Sequence, residues 1–246
     1  MKDPPTMPSE DKVRLAVFGS FYRGREVLRE ALHGPLARLV QVVGVATDDP
    51  SQSYVSPHKR VWQYPHEPWE ERMVTELAAT AGIQVFNGRV KTEEFHALFS
   101  QRWRPDLCIM ATFGQRIDAH LFDYPRLGFY NLHPCLDDGW PSRYRGGNPF
   151  AALMAEGRTH GVIALHRVDA DFDTGELIAY SPPFPLPPDA SVVEMHKLTA
   201  PVAAELAARE LERIILAACS APSWQPNPGT AWGPDRGPSP VAAQSA

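Results

Sequence analysis

Val13-Arg14-Leu15-Ala16-Val17-Phe18-Gly19 decides how the rest of the chain is read. It is a short run of strand character stopped by a glycine. A second glycine, Gly24, precedes Arg25 to Leu32, where Val27, Leu28, Ala31 and Leu32 recur at helical spacing. Leu39-Val40-Gln41-Val42-Val43-Gly44-Val45-Ala46 is then a second β-rich run. Its near-continuous apolarity points to a parallel strand covered on both faces. Strand, tight turn, helix and strand in that order make a crossover unit, and the alternation continues downstream.

Working outward, Thr47 to Pro68 is polar, holds Tyr54, Trp62 and Tyr64, and reads as a long loop. Trp69 to Thr80 is predicted helical, with Gly82 as its stop, and Ile83 to Phe86 as a short strand. A helix is expected from Thr92 to Arg102. A strand follows over Asp106 to Ala111, ending in Thr112-Phe113-Gly114. A weak helix, Asp118 to Phe122, leads into the run Leu127-Gly128-Phe129-Tyr130, which carries Asn131 and His133 at its end. Asn148 caps a helix over Pro149 to Ala155, and His160 to Val168 and Glu176 to Tyr180 are the last strands. Ser191 with Glu194 forms a capping-box pair opening the terminal helix, which Pro201 is expected to bend or restart.

The fold expected is a doubly wound α/β sheet, mostly parallel, in a three-layer sandwich, and its opening unit resembles a Rossmann-like domain. Gly19 and Gly24 are spaced unlike a GxGxxG fingerprint, so they read as a tight strand-to-helix turn more readily than as a dinucleotide site. Ligands of such sheets bind beyond the carboxyl ends of the strands, where the loops after Phe18, Ala111, His133 and Val168 are expected to open together.

The chain has 246 residues, 43% hydrophobic and 22% charged, which suits one large domain of ordinary globular composition. Residues 1–11 read as a flexible arm, 12–218 as the catalytic domain and 219–246 as a tail. The tail carries six prolines and three glycines, with Trp224 and Trp232 as its large apolar residues. A formal charge of -5 argues against a surface built to hold nucleic acid. Three widely spaced cysteines, Cys108, Cys135 and Cys219, fit a reducing compartment. Met1 to Asp11 has no apolar core of a secretory signal, and no run approaches the ~18 apolar residues of a membrane span. The expectation is a cytoplasmic, soluble protein with no membrane partner, and homo-oligomerisation stays open.

The chemistry-bearing stretch runs from Asn131 to Asp173. Asn131 and His133, two apart on a strand, project from one face. Asp169, Asp171 and Asp173 precede a Thr174-Gly175 turn after another strand. A histidine, an amide and a carboxylate converging at strand ends make a candidate functional constellation. Cys135, two residues from His133, offers a nucleophile by proximity alone, and no familiar zinc spacing joins His133, Cys135, His160 and His166. His166, alternating with apolar residues, reads as a packed or rim histidine.

Asn131-Leu132-His133-Pro134, Arg145-Gly146-Gly147-Asn148-Pro149 and Asp173-Thr174-Gly175, in this order, resemble the folate-dependent formyltransferase family over roughly residues 13 to 215. Thr112-Phe113-Gly114 and His160-Gly161-Val162 look like further steps of its pattern. The family includes methionyl-tRNA, glycinamide-ribonucleotide, sugar-amine and hydroxyornithine formyltransferases. The resemblance implies formyl transfer from 10-formyltetrahydrofolate to an amine, without a metal, with Asn131, His133 and Asp173 as the catalytic residues. Asn131 and His133 would donate to the carbonyl oxygen, and Asp173 would orient His133 and favour its protonated form. Phe113 and Gly114 fall where the family sets a loop against the pterin, and Asp169 and Asp171 are expected beside the cofactor as turn-forming residues.

Cys135 to Tyr144 is longer, more polar and more aromatic than the compact segment of the tRNA and purine branches. It looks most like the hydroxyornithine enzymes of siderophore assembly. Asp137 and Asp138 would receive a cationic amino acid, and Arg143 and Arg145 a carboxylate or phosphate. The Pro-rich tail differs from the basic second domain of the tRNA-directed enzymes, so a small-molecule amine is the expected partner. The alternatives are a nucleotide-linked amino sugar or a phosphoribosylglycinamide-type acceptor, hydrolysis of the formyl donor, and an inactive folate-binding or interaction module.

Overall fold

The computed structural model describes residues 11–51, 64–145 and 148–220. The expected tail with Trp224 and Trp232, nearly all of the expected arm, and much of the loop after Thr47 lie outside the described residues. An eight-stranded sheet forms the middle layer. Its strands are β1 (Val13–Gly19), β2 (Val40–Ala46), β3 (Val85–Phe86), β4 (Leu107–Ala111), β5 (Phe129–Cys135), β6 (His160–Arg167), β7 (Leu177–Tyr180) and β8 (Phe184–Pro185). The order is β3-β2-β1-β4-β5-β6-β7, with β8 paired to β6. Pairs from β3 to β5 are parallel, and β6 pairs antiparallel with β5, β7 and β8.

Helices α1 (Phe21–His33), α2 (Met73–Thr80), α5 (Pro149–Ala155) and α6 (Val192–Cys219) cover one face. There Leu15, Val17, Ile109, Leu132 and Leu165 meet Val27, Leu28, Leu206 and Leu211 in the larger core. The other face carries α3 (Glu93–Ala97), the π-helical turn Leu98–Trp103 and α4 (Ala119–Phe122). Phe95, Phe99 and Trp103 pack there with Phe18, Cys108 and Phe129. Three layers follow, because strands buried on both faces need helices on both sides. Among the described residues no helix is long and apolar enough to cross a membrane.

The two early glycines serve close packing. A Cβ on Gly19 would stand 2.8 Å from Gly24 Cα and 2.9 Å from the Ala111 carbonyl oxygen. The end of β1 therefore nests against both α1 and β4, the use of glycine that the turn reading anticipates.

Several boundaries differ from expectation. The helix predicted from Trp69 begins only at Met73, because the Glu70 carboxylate accepts from the Glu67 backbone N–H (2.7 Å) and from the Tyr22 hydroxyl, holding a turn there. The helix from Thr92 turns π-helical at Leu98 and closes on Arg104 at φ 43. The wider turn leaves Phe99 and Trp103 fully buried. Pro201 does not restart α6, which runs unbroken to Cys219. Pro201 is solvent-exposed, so water can meet the carbonyl that loses its N–H partner. The expected caps are present: Asn148 Oδ1 accepts from Ala151 N (3.2 Å), and Ser191 and Glu194 form a reciprocal capping box.

The largest correction concerns topology. Asn131 and His133 lie within β5, not at its end. β6 runs opposite to β5, so Val168 emerges level with Phe129, to whose carbonyl its N–H donates (2.7 Å). The loop after Val168 thus starts at the wrong end of β5 for a carboxyl-end site and must fold back along the sheet face. That return path places Asp173 over Asn131.

Candidate active site

Register places the site. Phe18 pairs with Met110, Met110 with Asn131, and Asn131 with His166, so one row crosses β1, β4, β5 and β6 on a single face. Period-two alternation then sets His133 on the same face, one step further along β5. Asn131, His133, His166 and Asp173 are all buried.

The four meet on the Asp173 carboxylate. Its Oδ1 accepts from Asn131 Nδ2 (3.2 Å) and stands 3.5 Å from both His133 Nδ1 and His166 Nε2. Asn131 Nδ2 also donates to His166 Nε2 (3.1 Å). His166 Nδ1 donates to the Arg167 carbonyl (2.8 Å), which leaves Nε2 to accept from the Asn131 amide nitrogen. His133 Nε2 donates to the Tyr144 carbonyl (2.5 Å). Asp173 holds φ 52, a left-handed conformation that aspartate tolerates better than most residues. Strain of this kind concentrates at functional sites.

His133 departs from expectation. Burial disfavours its charge and outweighs the opposing pull of Asp173 and the Tyr144 carbonyl, with His166 and Arg23 adding to the depression. Its pKa lies below the ordinary value, so His133 is a neutral donor at neutral pH and not the imidazolium the resemblance implied. His166 is packed, as its alternation with apolar residues suggests, and the antiparallel register also brings it directly opposite Asn131.

A cleft opens beside this cluster over the sheet face. Met110, Gln115, Arg116, Ile117, Asn131, His166, Val168, Asp169, Asp171, Phe172 and Asp173 line it. Arg116 Nη2 donates to the Ala170 carbonyl (2.5 Å), and its guanidinium stacks 5.1 Å from the Phe172 ring centroid, which ties the two flanking loops together. Asp169 accepts from Thr174 Oγ1 (2.9 Å) and from the Asp171 N–H (3.2 Å), so both aspartates shape the turn while lining the cleft. Phe113 and Gly114 do not line it. Phe113 packs against Phe18 at 5.5 Å, and the Gly114 N–H donates to Asp48 Oδ2 (2.6 Å). The three residues after them take that place.

The other expected contacts stand apart. Asp137 and Asp138 are exposed, and Asp138 faces Arg143 at 3.5 Å. Arg143 also lies over the Tyr144 ring and 3.6 Å from Glu156, while Arg145 Nε donates to the Ser142 carbonyl (3.0 Å). None of these four lines the cleft, and Gly146 and Gly147 lie outside the described residues. Trp140 does reach the site: its ring packs 4.8 Å from His166, and Nε1 donates to the Gly175 carbonyl (2.7 Å). Cys135 is fully buried and its thiol is pushed up to about 12, chiefly by burial, so it is no nucleophile. Among the described residues no group of three or more His, Cys, Asp or Glu converges to hold a metal ion.

An amide, two imidazoles and a carboxylate thus meet beside a mixed cleft on an open α/β sheet. The chain belongs to the formyl transferase family, whose model matches residues 12–211. It is similar to the methionyl-tRNA formyltransferase of Syntrophomonas wolfei, 28% identical over 157 residues, covering 64% of this chain and 46% of the relative. The Chlamydia pneumoniae methionyl-tRNA formyltransferase is 26% identical over 202 residues, covering 82% of this chain and 57% of that protein. The chain thus spans about half the length of these curated relatives. Among solved structures, glycinamide ribonucleotide transformylase 1 from Symbiobacterium toebii shares the fold at TM-score 0.64 and 14% identity, over 89% of this chain and 94% of that one. A formyltetrahydrofolate deformylase from Pseudomonas syringae does so at TM-score 0.61 and 16% identity, over 84% and 62%.

Proposed function

We propose that this protein transfers a formyl group from 10-formyltetrahydrofolate to a small amine, the hydroxyamino nitrogen of N5-hydroxyornithine. The observation that carries the reaction class is the convergence of Asn131, His133 and His166 on Asp173 beside the cleft. The cleft suits the donor: Met110, Ile117, Val168 and Phe172 offer apolar surface, and Asp169 and Asp171 offer acceptors for ring N–H groups. Bound there, the donor supplies an activated formyl carbon.

The rest is done by this chain's own groups. As the amine nitrogen attacks, negative charge builds on the formyl oxygen. His133 can exchange the neutral Tyr144 carbonyl for that charged acceptor, and Asn131 can turn one N–H from the cluster toward it. Asp173 accepts the proton lost by the attacking nitrogen, directly or through one water. The new carbon–nitrogen bond replaces the old one, and the departing nitrogen takes up the proton that Asp173 accepted. A hydroxylamine-type nitrogen is weakly basic and arrives neutral, which suits a site whose histidine is neutral and whose single base is a carboxylate. The aromatic strap from Cys135 to Tyr144, with Trp140 on His166, supports an acceptor unlike those of the purine branch.

The test is to supply 10-formyltetrahydrofolate with N5-hydroxyornithine, ornithine, glycinamide ribonucleotide, a nucleotide-linked amino sugar or water alone, and detect formylated product by mass. Formylated hydroxyornithine, with ornithine much slower, is the expected result. Product from another amine only, or formate release with no acceptor, overturns the acceptor assignment.

A further inference from the structure

On the far side of β5 from the cleft lies a buried cation that no carboxylate among the described residues pairs with. Arg23, the third residue of the 13-residue α1, is 3% exposed. Its Nη1 donates to the Leu132 carbonyl (3.3 Å), its Nη2 to His196 Nδ1 (3.2 Å), and its Nε is buried without a partner. The guanidinium packs 5.4 Å from the Phe150 ring centroid, and Phe21, Tyr64 and Phe150 stand 5.3–5.5 Å from the His196 ring. Among the described residues no carboxylate pairs with Arg23. The nearby Glu70 is engaged by Tyr22, by the Glu67 N–H and by Lys197.

An uncompensated buried charge costs several kcal/mol, because its lost hydration is not replaced. Burial pushes the Arg23 pKa down to about 10, too little to neutralise it, while His196 is held well below its ordinary value and stays neutral. The local charge is therefore a full positive one, reinforced by the positive end of α1. Its position is specific. Leu132 is the residue between Asn131 and His133, so the cation is hydrogen-bonded to the backbone between the two proposed oxyanion donors.

We propose that Arg23 receives the carboxylate of an amino-acid acceptor, with His196 as its neighbour, so that the acceptor approaches from the α1 side while the formyl donor lies in the cleft. This rests on the acceptor reading above and deepens it. A guanidinium fork matches a carboxylate, and the free Nε supplies a donor the protein leaves unused. The methylene chain of hydroxyornithine then spaces its nitrogen from the anchored carboxylate.

The test compares N5-hydroxyornithine with N-hydroxyputrescine, the same nitrogen on a chain lacking the carboxylate. In the unaltered protein, kcat/KM should favour hydroxyornithine by about a hundredfold, the worth of a desolvated charge-assisted pair. In Arg23→Gln that ratio should fall at least tenfold. Should that variant not fold, Arg23→Lys, with a cation but no fork, should lower the ratio by about tenfold. A ratio near one in the unaltered protein, or an unchanged ratio in the variants, overturns the proposal while leaving the formyl-transfer reading intact. If neither amine is formylated, the acceptor reading has failed instead. Titration with inorganic phosphate then decides: saturable thermal protection that Arg23→Gln abolishes sustains an anion receptor, and protection absent or equal in both overturns it.

Discussion

Two buried polar clusters flank β5, and they solve their electrostatics in opposite ways. Around Asp173, Asn131 donates to the carboxylate and to His166, and both histidines stand 3.5 Å from the same oxygen. There the carboxylate accepts from the Asn131 amide with two imidazole rings beside the same oxygen, and the cluster holds together without a ligand. Around Arg23 the neighbours are a carbonyl, a neutral imidazole and aromatic rings, and one guanidinium N–H points at nothing. A satisfied cluster is suited to chemistry that must be in place before substrate arrives. An unsatisfied one is suited to recognition, because its charge is completed only by what binds.

The comparison breaks most sharply at the satisfied cluster. Replacing Asn131 or His133 by Ala should lower turnover about a hundredfold or more while donor binding is largely kept, read by steady-state kinetics and folate titration. Near-normal turnover in both variants would remove the proposed chemistry from this site.

A buried acid outside both clusters gives the next largest effect, on stability. Asp48 Oδ2 accepts from the Gly114 N–H and from Ser20 Oγ, and burial outweighs these bonds and the Gln115 side chain and raises the carboxyl to about 6. A carboxyl whose pKa is raised in the fold stabilises below its unfolded value near 3.8 and loses that contribution as pH rises through about 6. Asp48→Asn should therefore stabilise the protein by roughly 2–3 kcal/mol at pH 8 relative to the parent, with the difference shrinking toward pH 4. Denaturant melts at the two pH values check it, and a difference independent of pH would show that the charge is not the cause.

His166→Leu sharpens the comparison further. Removing this acceptor of the Asn131 amide should lower kcat about tenfold with little change in KM for the donor, since the loss is one of orientation. A change in KM alone would make His166 a binding residue. The smallest effect belongs to Cys135→Ala, for which turnover within about twofold of the parent is expected, because a thiol pushed up to about 12 carries no thiolate at working pH.

Much of this was legible in the chain before any coordinates. The 3.6 and 2.0 periodicities around Gly19 reveal a crossover unit, and Asn131 and His133 share a face because strand residues two apart must. Asp173 by itself reads as a turn residue, and only the resemblance of its Asp-Thr-Gly step, in the company of Asn131 and His133, singled it out. His166 could not be singled out, because an imidazole alternating with apolar residues looks the same whether it packs or works, and its role follows from pairing opposite Asn131. Arg23, Arg25 and Arg29 are indistinguishable as a basic helix start, yet Arg23 is buried while the side chains of Arg25 and Arg29 are 40% and 49% exposed. The acidic and basic loop residues from Asp137 to Arg145 carried an expectation that charge alone cannot place, since charged side chains in a loop can pair with one another as readily as with a ligand.

Local pattern by itself determined the element order and the shared face of Asn131 and His133, because backbone geometry and short-range spacing are written residue by residue, and the motifs carried the resemblance to the family. Tertiary structure alone decided that β6 runs antiparallel, that Asp173 folds back over Asn131, that burial holds the His133 pKa down and that Arg23 is a buried cation no carboxylate among the described residues pairs with. Strand direction, burial and the cost of an unpaired charge depend on residues far apart in the chain, and no local reading contains them.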